Sequence, residues 1–103
     1  MYRNEDRIVI HADVDLEDLI PGFLENQHRD ALKIMDFLDL EDYEAIQRMG
    51  HSMKGSGGGY GFDEITAIGM RIESAACNRD AAAISGQVEA LLDYLARVEV
   101  VYE

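Results

Sequence analysis

Apolar residues recur along this chain at steps of three and four, the period of helices that turn one face inward. Only Ile8-Val9-Ile10 and the run Val98 to Tyr102 look even briefly strand-like. The pattern predicts an all-α domain. Acids in the first turn of Asp13 to Ile20 suit a short N-terminal lead helix, which Pro21-Gly22 then kinks or replaces with a new one. A first long helix sets Phe23, Leu24, Ala31, Ile34, Met35 and Leu38 on one stripe and stops between Asp39 and Asp42. A second runs from about Asp42 to Tyr60 with Ile46, Met49, Met53, Gly57 and Tyr60 inward, and Gly61 suits a left-handed stop. Asp63 is placed to cap a third, which carries Ile65, Ile68, Ile72 and Ala76 before Asn78 interrupts it. The fourth begins after Asp80 and carries Ile84, Val88, Leu91, Leu95, Val98 and Tyr102. Short loops between four such helices imply an antiparallel up-and-down four-helix bundle over residues 13–102, preceded by an N-terminal extension over 1–12, all in one domain.

One segment breaks the local rules. Residues 50–62 hold six of the nine glycines. An interior helical glycine forfeits about 0.5 to 1 kcal/mol against alanine, so Gly55, Gly57, Gly58 and Gly59 give up about 2 to 4 kcal/mol together. Glycine clusters are ordinarily loops, but the apolar period runs through this one. At about 100° per residue from Ile46, Met53 falls near 340°, Gly57 near 20° and Tyr60 near 320°, while His51 falls near 140° on the opposite side. His51 therefore points outward, with Lys54, Gly55 and Gly58 three, four and seven residues on along its own face. An exposed imidazole has a reference pKa of about 6.5 and is mostly neutral at pH 7, which leaves one ring nitrogen free as a nucleophile. A cation one turn away can balance a developing anion, and a surface cleared of side chains admits a donor. No acid lies within one turn of His51 to orient the ring, which disfavours a hydrolytic triad and suits a group carrier.

Charge sharpens this picture. The chain has 103 residues, 21 acidic and 9 basic, for a net charge of −12. Such a balance argues against nucleic acid or an anionic membrane as partner, since each phosphate contact needs a lysine or arginine. Twenty-one acids spread evenly would place about four in any window of 18, yet Ala45 to Phe62 contains none. The single cysteine cannot form an internal disulfide, and no apolar run approaches the roughly 20 residues of a membrane span. The N-terminus lacks the apolar middle of a signal peptide, so the expected location is the cytoplasm.

Other chemistries fit these residues poorly. A phosphate-cradling loop needs lysine after its second glycine, but Lys54 precedes Gly55, and a dinucleotide fingerprint would need glycine where Tyr60 or Phe62 stands. His11, His28, His51 and Cys77 are too scattered for a metal site. His11 and His28 read as surface residues, and Cys77, beside two alanines, as a small buried one. The acidic runs Asp13 to Asp18 and Asp36 to Glu44 read as caps and solvated faces, with no twelve-residue calcium loop.

His51-x-Met53-Lys54-Gly55-Ser56 followed by Gly61 resembles the signature of histidine-containing phosphotransfer (HPt) domains of bacterial phosphorelays. The run from Asp15 to Leu24 resembles the start of that family's N-terminal helix, and Ile65, Ile68, Ile72 and Glu73 match its third-helix pattern. Methionine after the histidine, where leucine is commoner, and the richer glycine run are departures. The resemblance implies an antiparallel four-helix bundle in which His51 accepts a phosphoryl group and Lys54 stabilises it. It further implies that Gln47, Gly55 and Gly58 face the partner, a response-regulator receiver domain or a hybrid sensor kinase. That partner supplies the phospho-aspartate and the magnesium. Such a domain is a carrier and not an enzyme, needs no cofactor, binds no ATP, and is expected to act as a monomer. A helical module that docks receivers without carrying phosphate is the alternative.

Overall fold

Beta-branched and leucine side chains at the inward helical positions build the centre of the molecule. In the computed structural model, which describes residues 6–103, Ile20, Ile34, Ile46, Ile65, Ile72, Ile84 and Leu91 are fully buried. They come from four helices: α1 (Ile20–Asp39), α2 (Tyr43–Gly59), α3 (Asp63–Cys77) and α4 (Ala81–Arg97). Each packs on two neighbours, α1 on α2 and α4, and α3 on α2 and α4, which with the short loops makes a four-helix bundle. Phe23 joins α1 to the end of α2 by stacking on Tyr60 at 4.4 Å between ring centroids and on Phe62 at 5.6 Å.

Most helix ends follow their side-chain chemistry. Asp42 caps α2 by accepting from the Ala45 amide at 3.1 Å, and Asp80 caps α4 by accepting from Ala83 at 3.1 Å. Gly61 has φ +84 and ends α2, with the Phe62 amide donating back to the Gly57 carbonyl at 2.9 Å. The residue expected to cap α3, Asp63, is instead its first helical residue. Phe62 holds the cap position and offers no side-chain bond.

Two expectations about the ends of the chain are corrected. In place of a lead helix there is a three-residue 3-10 turn, Val14–Leu16, started by the Asp13 carboxylate accepting from the Asp15 amide at 2.8 Å. The stretch is under two turns long and carries four acids, too short and too like-charged to propagate a helix before Pro21 starts α1. The fourth helix ends at Arg97, and Val98–Tyr102 forms a strand, β2, paired in parallel with β1 (Ile8–Ala12) from Ile8↔Val98 to Ala12↔Tyr102. Ile8, Ile10, Val98, Val100 and Tyr102 turn toward the core, while Arg7–Glu99 and His11–Glu103 pair on the outer face. The first five residues of the expected N-terminal extension lie outside the described residues. Among the described residues, no helix is long and apolar enough to cross a membrane.

Candidate functional site

The glycines explain why α2 and α3 approach closely enough to share a site. A Cβ on Gly50 would stand 2.7 Å from the Glu73 nitrogen and 2.9 Å from the Gly69 carbonyl oxygen. One on Gly69 would stand 2.6 Å from the Lys54 nitrogen and 2.8 Å from the Gly50 carbonyl oxygen. These separations are shorter than real Cβ contacts allow, so backbone meets backbone here only because both positions lack a side chain. Further along, Gly57 faces Thr66 in the same way, and the Thr66 hydroxyl donates to the Lys54 carbonyl at 3.1 Å.

This contact brings one carboxylate to two cationic or basic groups. Glu73, on α3 one turn after Gly69, accepts from His51 Nδ1 at 2.8 Å through Oε2 and from Lys54 Nζ at 3.0 Å through Oε1. The Lys54 ammonium and then the His51 ring hold the Glu73 carboxyl below the usual carboxylate range, against a smaller opposing effect of burial. An ionised carboxylate can only accept, so the proton on the neutral His51 ring sits on Nδ1 and the lone pair on Nε2. The Glu73 side chain is 23% exposed and that of His51 69%, so the carboxylate is largely sheltered while the ring itself is open to a partner.

Around this group lies a cleft of about 530 Å³ lined by Glu44, Gln47, Arg48, His51 and Glu73. Gln47 thus lines the same cleft as His51. Gly55 and Gly58 are exposed, with nothing within 4 Å of a Cβ added at Gly55 and only the Thr66 hydroxyl, at 3.7 Å, near one at Gly58. His51, Lys54, Gln47, Gly55 and Gly58 therefore occupy one continuous surface of α2.

Three readings of the sequence change. The ring does have an acidic orienter: it comes from another helix, 22 residues away, where no spacing rule within one helix reaches it. The face around His51 is consequently not free of acids, because Glu44 and Glu73 flank a segment that contains none of its own. Cys77 is exposed at the end of α3 and not buried. One signal for Glu73 was present in the sequence. Gly69 interrupts an isoleucine-rich inward face, which marks a close helix approach, and the polar Glu73 follows it by one turn.

The family model of the Hpt domain matches residues 18–100. The chain belongs to the Hpt domain family. The matched span covers all four helices of the Hpt bundle and leaves β1 and the 3-10 turn outside it. Comparison with curated proteins and with solved structures finds no match. Membership in the Hpt family implies a histidine phosphotransfer role in phosphorelays and interaction with response-regulator receiver domains. Among the described residues of this Hpt domain, no three or more His, Cys, Asp or Glu side chains are grouped to hold a metal ion.

Proposed function

We propose that this Hpt domain carries a phosphoryl group on Nε2 of His51, receiving it from and returning it to the phospho-aspartate of a receiver domain. The observation that supports this reading is the 2.8 Å contact between His51 Nδ1 and Glu73, which assigns the ring proton to Nδ1 and leaves Nε2 as the nucleophile on a side chain that is 69% exposed. In the forward step Nε2 donates its lone pair to phosphorus, the bond from phosphorus to the aspartate oxygen breaks, and the aspartate carboxylate leaves. The ring becomes a phospho-imidazolium whose remaining N–H still donates to Glu73, so the new positive charge is met where it forms. Lys54, 3.0 Å from the other oxygen of Glu73, is within reach of the incoming phosphoryl group and stabilises it. Gly55 and Gly58 keep the surface low enough for a receiver to bring its phosphate to the ring, and Gln47 contacts that receiver. On this reading the domain is a relay carrier with no catalytic turnover of its own, and it acts as a monomer.

Incubation with a phosphorylated receiver domain tests the reading. Acid-labile label is expected on the wild-type chain and none on His51→Gln, while both proteins keep the same helical circular dichroism. Label that survives His51→Gln would place the acceptor elsewhere. Receiver binding without any label would leave a docking module that carries no phosphate.

A further inference from the structure

The last turn of α2 has almost nothing of its own to hold it in place. Gly55, Ser56, Gly57, Gly58 and Gly59 carry one side chain among five residues, and only Gly57 is buried. That one side chain bonds locally, the Ser56 hydroxyl donating to the Met53 carbonyl at 3.4 Å. The glycines favour the unfolded chain through their backbone freedom, and no apolar side chain in the run offsets this by burial. The run is helical all the same, and it carries the bare backbone of Gly55 and Gly58.

What holds it comes from α3. A threonine inside a helix ordinarily turns its hydroxyl to a carbonyl three or four residues back on the same helix. Thr66 instead donates across to the Lys54 carbonyl at 3.1 Å, and among the described residues it is the one side chain of α3 bonded to the backbone of α2. In the helical pattern that carbonyl is also the acceptor of the Gly58 amide, so the hydroxyl clasps the turn from Lys54 to Gly58. It fits closely there, 2.7 Å from where a Cβ on Gly57 would stand and 3.7 Å from one on Gly58. Beyond the clasp, the Gly57 carbonyl accepts from the Phe62 amide at 2.9 Å. Thr66 thus bridges the stretch between the backbone contact at Gly50 and Gly69 and the turn at Gly61.

We propose that Thr66 is a positioning residue for receiver docking: its hydroxyl keeps the turn from Lys54 to Gly58 helical, so that the bare surface at Gly55 and Gly58 meets a receiver domain already in shape. This rests on the reading of that surface given above and adds the residue that orders it. A surface ordered in advance loses less conformational freedom on binding, and the difference appears as affinity. His51 and Glu73 are brought together by the Gly50 and Gly69 contact, so the Thr66 hydroxyl acts on docking and not on the transfer step itself.

Two measurements on the full chain test this: hydrogen exchange of the Gly58 and Gly59 amides, and the Kd for the unphosphorylated form of the receiver domain used in the labelling experiment. Thr66→Val is close in shape and lacks the donor. It should speed exchange at both amides about twofold to tenfold and weaken receiver binding by a similar factor, the range for one net hydrogen bond. Thr66→Ser keeps the donor and should return both values toward the wild type. Val88→Ala removes methyl groups from a buried position in α4 and lowers stability away from this turn, so it should alter neither. The proposal is overturned if Thr66→Val leaves either value unchanged, if Thr66→Ser fails to restore them, or if Val88→Ala reproduces the effect. Failure of the relay reading looks different: the wild-type chain would take no label on His51, while exchange and receiver binding would still report on Thr66.

Discussion

Glu73 uses its two oxygens for two different neighbours, and that division decides what its loss would do. Oε2 fixes which nitrogen of His51 carries the proton, and Oε1 holds the Lys54 ammonium within the same site. Glu73→Gln keeps an acceptor for one neighbour but removes the charge that serves both. Its phosphoryl-transfer rate from a receiver should fall about a hundredfold, the low end of what a positioned acid–base group contributes. The same variant has a signature in stability. The folded-state pKa of Glu73 lies below its ordinary value of 4.5, so its stabilisation is complete above that value and is lost as pH falls through the folded pKa. Urea unfolding between pH 7 and pH 3 should therefore show a shallower acid decline for Glu73→Gln than for the wild type; identical declines would mean that the pairing contributes nothing. His51, Lys54, Gly55 and Gly58 were legible in the sequence because all fall within two turns of one helix. Glu73 was legible as part of a third-helix pattern and by its place one turn after Gly69, but its pairing with His51 needs a contact between two backbones that no local period encodes.

At the level of helices, the glycines near the site divide into three kinds. Gly50, Gly57 and Gly69 let α2 and α3 touch, Gly61 makes the turn between them, and Gly55, Gly58 and Gly59 leave helix surface bare. A Cβ at Gly50 would push α3 away from α2 at the height of the site, so Gly50→Ala should destabilise by about 1 to 3 kcal/mol, the cost of overpacking. It should also separate His51 from Glu73. Gly86, within α4, has nothing within 4 Å of an added Cβ. Gly86→Ala should raise stability by about 0.5 to 1 kcal/mol through helix propensity alone and leave transfer unchanged. Thermal denaturation of the two variants checks both signs; a Gly50→Ala protein as stable as the wild type would show that the interhelical contact yields freely. The four long helices were readable because their apolar steps, their Asp caps and Gly61 all point the same way. Gly55 and Gly58, the two glycines read as facing a partner, are bare in the fold, and Gly57, read as inward, meets Thr66 of α3. Gly50 and Gly57 serve packing, a distinction that depends on which neighbour lies across from each.

At the scale of the molecule, the paired ends β1 and β2 account for the part of the fold the sequence hid. Leu95, Val98 and Tyr102 continue the helical steps of three and four, while Val98, Val100 and Tyr102 equally satisfy alternation, so the same residues fit both periods. A partner strand some 90 residues earlier resolves the ambiguity, pairing Ile8 with Val98 and Ile10 with Val100. Truncation after Arg97 would expose the inner face of β1 and remove three half-buried side chains from the core, at a cost of about 2 to 4 kcal/mol. The melting temperature should drop by about 10 °C or more while most far-ultraviolet helical signal remains. A smaller drop would show that the bundle is self-sufficient. Parallel pairing also has a mechanical meaning. Pulling Ile8 and Tyr102 apart would drag β1 and β2 along each other, loading their hydrogen bonds together in shear and not one at a time as in a zipper. Stretched between its two ends, the chain would meet its main resistance at this ribbon, and the helices carrying His51 and Glu73 would feel tension only after it had given way.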